Sequence, residues 1–425
     1  MYRKFLRLAG AFCLLSSSWS VLRVFDISIF EWLALLVVPA VLLHSPPEKG
    51  VPLGSFKLAG ASLAVLAVAG IISSPSSFDP VEHILKVTKL LGAFALIIGL
   101  SYVLANRKIY NIVEVLYLLC LSATICSLVA ILQGQLGILT GLIPRDTGGS
   151  LKSWMRMTGL AEHPIEAGVV SSYGFVMGLG LALHTRKWLV ALPMIAINAY
   201  SMRYSASLTA VFGFALASLT LCLYTKSFKV LFSGFAIGAL AVAAVLTLST
   251  DTSGLLQRRL ASVYETQGNY ETVQIRAMQL QKAIGMIEAS TLAVGNGYSS
   301  ADLPFDMEIH NGLAASVFHF GLLGLISQGL LIGFFVTKLG NDAPLPLKGI
   351  LLSCIIVFAL TYLSGPAQAR PTLWGPVILL GGYLGAQRKE RISGAAAGFA
   401  VPHANEALKS RGRGLRQAVV PYRNA

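Results

Sequence analysis

The sequence predicts an all-α, polytopic membrane protein, and three observations carry that reading. Only 12% of the 425 residues are charged, where an ordinary soluble domain carries roughly 25%. Mean hydropathy is +0.69. Apolar runs recur along the chain, several approaching the roughly 20 residues that cross a bilayer as a helix. These runs are continuous rather than alternating, which argues against a membrane β-barrel.

The expected spans are 6–24, 27–43, 56–73, 83–105, 111–138, 163–184, 187–200, 205–224, 229–249, 311–337, 346–363 and 372–386. That makes about twelve crossings, the first two interrupted by Arg23 and Asp26. Arg3, Lys4 and Arg7 before an apolar run have the look of a signal peptide. No small-residue cleavage site follows, so the segment reads as a retained first helix. Residues 1–386 form a single transmembrane domain, and 387–425 form a basic, disordered cytoplasmic tail attracted to membrane lipids.

Charge sets the orientation. With both termini in the cytoplasm, 21 of the 33 Lys and Arg residues fall on the cytoplasmic side and 10 on the other, with Lys86 and Lys89 inside a span. This asymmetry fits the positive-inside rule. The net charge of +14 therefore reports topology, and no nucleic-acid partner is expected. The five cysteines, Cys13, Cys120, Cys126, Cys222 and Cys354, all fall in expected spans with no paired spacing. They read as small packing residues.

Three segments then face outward: 139–162, a short break around Ser201–Ser207, and a long loop over 250–310. Within the loop, Val273, Ala277, Leu280, Ile284 and Ile287 recur at helical spacing, which marks one apolar helix face. Such a helix lies on the bilayer surface or caps a cavity. Gly295 and Gly297 permit a sharp turn after it.

The outward arginines are the candidates for chemistry. Arg203 and Arg370 sit in breaks of a few residues between spans; Arg156 and Arg276 lie in the longer segments. Arginine beside hydrocarbon is costly and is usually paired or functional. Several converging on one cavity would clamp a diphosphate through forked hydrogen bonds. The plainer alternative is snorkelling, or pairing with Asp146, Glu162, Glu265 or Glu271. His310 fits a general base toward a sugar hydroxyl, or an interfacial cap for the next helix with Asn311. His163 and Glu166, in Glu162-His163-Pro164-Ile165-Glu166, fit either an acceptor site or local helix capping. Lys86, Lys89, Glu31 and Glu114 fit an ion path, and the two lysines fit a cavity lining equally well.

The chain has no GxxxxGK[ST] loop and no HExxH motif, so the energy for an outward-face reaction must arrive with the substrate. At this point the pattern resembles the O-antigen ligase and O-antigen (exopolysaccharide) polymerase superfamily of bacterial inner-membrane glycosyltransferases. The likeness rests on Arg156-Met157-Thr158-Gly159-Leu160-Ala161-Glu162-His163-Pro164, on Ser201–Ser207, and on Arg276 followed by Gly295-Asn296-Gly297 and His310-Asn311. Phe320-Gly321-Leu322-Leu323-Gly324-Leu325 completes it. It covers roughly 150–338. His-Pro-Ile-Glu stands where many members carry an Asn-Pro-Asn-like element.

The resemblance implies a GT-C-like fold, with the large periplasmic loop between helices 9 and 10. It implies transfer of glycan from an undecaprenyl-diphosphate donor at the periplasmic face of the inner membrane, without metal or cofactor. Under it, Arg276 and Arg203 hold the diphosphate, His310 activates or positions the acceptor hydroxyl, and Arg156 is a further diphosphate contact. Arg370 enters on topology alone. A polymerase acting on a lipid-linked acceptor is the preferred reading. A ligase to lipid A-core or protein stands beside it, and a polysaccharide or lipid transporter is the alternative from another class. Polysaccharide export or chain-length proteins would be natural partners.

Overall fold

The computed structural model describes residues 2–24, 27–44, 56–106, 109–137, 156–205, 207–226, 271–298, 309–339, 344–364, 370 and 372–385. It is 86% helical. The helices are α1 (Tyr2–Leu15), α2 (Ile29–His44), α3 (Lys57–Ser73), α4 (Pro80–Asn106), α5 (Ile112–Leu136), α6 (Pro164–Thr185), α7 (Trp188–Ser205) and α8 (Leu208–Tyr224). They continue as α9 (Glu271–Gly285), α10 (Ala289–Val294), α11 (Gly312–Leu339), α12 (Leu345–Ser364) and α13 (Thr372–Gly385).

Six of them, α3, α4, α5, α6, α11 and α12, are long and apolar enough to cross a membrane; α2, α8 and α13 are shorter apolar helices. Every expected span within the described residues coincides with a helix. The ninth, 229–249, lies outside them, as do 250–270 of the loop and the tail. The first span is shorter than its apolar run. α1 stops at Leu15, a 3-10 turn follows over Ser16–Ser18, and Arg23–Val24 pairs antiparallel with Ile27–Ser28. Three serines and then Arg23 break the apolar pattern there, so the expected first two spans are separate helices joined by a small hairpin.

The helix ends follow local chemistry. Asn111 and Glu114 form a reciprocal capping box on α5, each bond 2.9 Å, which satisfies two backbone N–H groups that a helix leaves open. Ser28 and Glu31 do the same for α2: the Glu31 carboxylate accepts from the Ser28 N–H at 2.8 Å and from its hydroxyl at 2.7 Å. α7 runs through Ser205, and Ser207 caps α8. The expected break at Ser201–Ser207 is thus helical through Ser205, because Tyr200, Met202 and Tyr204 continue the helical packing.

α6 is the centre of the bundle, packed by α5, α7, α8 and α12, while α11 pairs with α3. Buried hydroxyls and one amide join the central three. Ser127 donates to the Asn198 side-chain oxygen at 2.8 Å, Asn198 donates to the Thr124 hydroxyl at 2.8 Å, and Ser171 meets Ser201 at 2.7 Å. Such bonds contribute about 0.6 kcal/mol each in membrane bundles.

The chain's reversals sort its polar residues onto two ends. At one end, Ser364 bonds Thr209, Asn311 bonds the Leu363 carbonyl, and Thr372 bonds Glu166. This end gathers the starts of α4, α6, α8, α11 and α13. At the opposite end Arg7 pairs with Glu114, and the Tyr110 hydroxyl donates to the Arg7 carbonyl. Burial there pushes the Tyr110 phenol up to about 12, against the lowering pull of Arg7.

Candidate functional site

All seven residues singled out for chemistry lie at the end that holds the start of α6, in three clusters. The first is built on that helix start. His163 is the N-cap, its Nδ1 accepting from the Ile165 N–H at 3.1 Å, and Pro164 occupies the first helical position. One turn on, Glu166 is 1% exposed. Its carboxylate accepts from the Ser20 hydroxyl, the Glu162 N–H and the Thr372 hydroxyl, each at 3.1 Å, and Arg370 Nη1 lies 3.8 Å away. A carboxylate in the first helical turn also sits favourably on the helix dipole. Glu166 therefore ties α6 to the hairpin, to the 156–163 segment and to the start of α13. Next to it Glu162 pairs with Arg23, whose Nε donates to the Ser20 carbonyl at 2.9 Å.

This network forms one wall of a cavity of about 260 Å³, and Lys86, Lys89, Tyr298 and Trp19 line the others. Lys86 pairs with Glu82 at 2.9 Å and stands 5.4 Å from the centre of the Tyr298 ring. The lysines of α4 therefore line a cavity, one of the two settings left open for them.

The second cluster closes the end of α7. Arg156 Nε donates to the Ser205 carbonyl at 2.8 Å, and the Met157 N–H donates to the Tyr204 carbonyl at 3.0 Å. A cation at a helix C-terminus offsets its partial negative charge. Arg203, 8% exposed, stacks 4.7 Å from the centres of both the Tyr200 and Tyr204 rings and donates to the Tyr200 hydroxyl at 2.9 Å. Arg156 and Arg203 thus share a corner, whereas Arg370 belongs to the cavity.

The third cluster is the described part of the long loop, which docks on the bundle. Ala283 of α9 packs with Ile309, Ala315 and Phe318. Ile309 precedes His310, and Asn311 caps α11 by accepting from the Ala314 N–H at 3.0 Å. Arg276 lies two turns from Ala283 on the same half-buried side of α9. On the described part of α9, Ala277 and Ile284 face out, Ile284 being 57% exposed, while Leu280 and Ile287 of the expected apolar face turn in with Arg276, Gln279 and Ala283. Ala283, 5% exposed, is the α9 residue buried in this contact.

Sequence reasoning missed a two-histidine clamp on the glycine turn. Gly295 and Gly297 have φ of 79° and 86°, backbone that glycine adopts without strain. The turn enters a kink in α11 at Gly321, φ 61°, where an added Cβ would come within 2.9 Å of the Ala293 carbonyl oxygen. His83, fully buried, accepts the Tyr298 N–H on Nδ1 at 2.5 Å, and its Nε2 faces the Gly70 carbonyl at 2.8 Å. With that pair of partners Nδ1 accepts and Nε2 donates. His319 Nδ1 donates to the Gly297 carbonyl at 2.6 Å. The glycines signalled the turn, but no spacing linked residues 83 and 319 to it. No protein-family model matches the chain, and no curated protein matches it significantly.

Proposed function

We propose that the chain is a metal-independent membrane glycosyltransferase that extends a lipid-linked glycan with glycan from an undecaprenyl-diphosphate donor. The observation that carries this reading is the gathering of Arg156, Arg203, Arg370, Glu166, His163 and His310 at one end of a largely apolar bundle. Cationic side chains at a membrane surface suit a diphosphate, and forked guanidinium groups suit it best.

In this reading Arg203 and Arg276 hold the donor diphosphate, with Arg156 beside them. The acceptor hydroxyl attacks the anomeric carbon of the donor sugar, and the bond from that carbon to the diphosphate oxygen breaks. The diphosphate leaves with the electron pair, stabilised by the arginines. The hydroxyl proton passes to His310. The reaction takes place at the periplasmic face of a bacterial inner membrane, with both termini in the cytoplasm.

The test uses purified protein in lipid with a synthetic undecaprenyl-diphosphate oligosaccharide as sole substrate. A ladder of longer lipid-linked glycans, lost in Arg276→Ala at equal protein level, is the expected result. Transfer only after lipid A-core is added would replace the polymerase with the ligase. An active Arg276→Ala would remove the arginine role, and silence with every acceptor would return the chain to the transporter class.

A further inference from the structure

The cavity beside Glu166 has a composition that phosphate binding does not explain. Its walls carry carboxylates and cations together: Glu162 and Glu31 against Lys86, Lys89 and Arg370. Glu162 pairs with Arg23, the Glu31 carboxylate accepts from Ser28, and Arg370 faces Glu166 behind the wall, so opposite charges alternate around the space and the site is not a simple anion clamp. Two wall residues carry a polar atom with no hydrogen-bond partner among the described residues: the Ser17 hydroxyl, in a residue 5% exposed, and the indole N–H of Trp19. Both atoms are shut off from solvent as the walls stand. A buried donor left unsatisfied is costly, and a small turn of either side chain toward a ligand with several hydroxyls would recover that cost. Trp19 and Tyr298 add flat apolar faces. The volume, about 260 Å³, lies just below the roughly 300–1,000 Å³ of small-molecule sites and suits a single sugar ring.

We propose that this cavity is a sugar subsite, taking one hexopyranose ring of the acceptor glycan. Carboxylates accept from vicinal ring hydroxyls, Lys89, Ser17 and Trp19 donate to ring oxygens, and Trp19 or Tyr298 packs against the C–H face. The acceptor assignment rests on the glycosyltransferase reading above. The position favours it. Arg156 marks the arginine corner and Glu162 the cavity wall, six residues apart in sequence, so the two lie no more than about 20 Å apart. That bound is the length of a short oligosaccharide, so an acceptor glycan with one ring in the cavity can extend to a donor diphosphate in the corner.

The experiment is saturation-transfer NMR on the full-length protein in nanodiscs, with the methyl glycosides of glucose, galactose and N-acetylglucosamine at millimolar concentration. At least one glycoside should bind, and Lys89→Ala and Glu162→Gln should each weaken it ~10-fold, the loss of one charged hydrogen bond. The cavity-filling Ser17→Leu should abolish it, and Arg276→Ala should leave it unchanged. No binding of any glycoside, or binding untouched by all three cavity variants, would overturn the subsite. Sugar binding in a protein that shows no transfer would keep the subsite and remove the acceptor assignment. Transfer without sugar binding would remove the subsite and keep the glycosyltransferase reading.

Discussion

Arg370 and Arg203 are two arginines at the same end of the bundle, held by opposite means. Arg370 faces a carboxylate, Glu166, that also takes three hydrogen bonds from three segments. Arg203 lies between two tyrosine rings, with a phenol oxygen as acceptor. A carboxylate neutralises the cation and makes it part of the scaffold. Aromatic faces orient a guanidinium through its ring contacts. The first setting ties an arginine to a shared carboxylate and the second fixes one by stacking; in the function proposed above, it is the stacked arginine that meets the donor diphosphate.

Removing the carboxylate should have the largest effect. Glu166→Ala leaves Arg370, Ser20 and Thr372 without their shared acceptor and should cost about 3 kcal/mol. Unfolding by SDS titration in mild detergent reads this, and Glu166→Gln should recover part of it. An Ala variant as stable as wild type would dissolve the contrast. At Arg203 the balance should invert. Arg203→Leu should cost only about 1–2 kcal/mol of stability while glycan output falls by far more than folded protein does. Arg203→Lys should keep the charge but lose the stacked, forked geometry, and stay well below wild type in output. Equal losses of stability at the two positions would make Arg203 as structural as Arg370. The smallest effect belongs to His163. As an N-cap, its change to Ala should cost about 1 kcal/mol, and His163→Asn, which caps as well, almost nothing. Loss of glycan output in His163→Asn with stability intact would move that residue from the scaffold to the site.

The helices were legible because apolar runs of bilayer length leave few alternatives, and their caps were legible in part. Pro164 after His163 marked a helix start, and Asn311 marked another. The loop helix was legible as an element but not in its orientation. Ala283 is on the side that docks and Ile284 on the side that does not, whereas hydrophobic spacing alone ranks the larger Ile284 first. Tertiary pairings between distant residues were not legible: Ser20 with Glu166, His83 with Tyr298, and Tyr173 with the Leu373 carbonyl at 2.5 Å. Each joins single polar residues across long stretches of chain, where no periodicity records the meeting. The cavity is made of such meetings, so Lys86, Lys89, Glu31, Glu162 and Arg370 were noticed one by one, but not the space they enclose together.

The central helix carries a consequence for how the protein is made. α6 has the lowest mean hydropathy of the six candidate spans, 1.4, and the largest buried share, 94%. In the finished bundle its glycines, serines and Glu166 face protein on all sides, so they never meet acyl chains. Before that, α6 leaves the ribosome with its later neighbours not yet synthesised, and lipid is a poor solvent for a segment of this composition. Its stable residence in the bilayer depends on α7 and α8 arriving beside it. The least membrane-like span is thus the one whose insertion is most tied to the order of synthesis, and the polar end of the molecule is complete only when α13, near the end of the described chain, reaches Glu166.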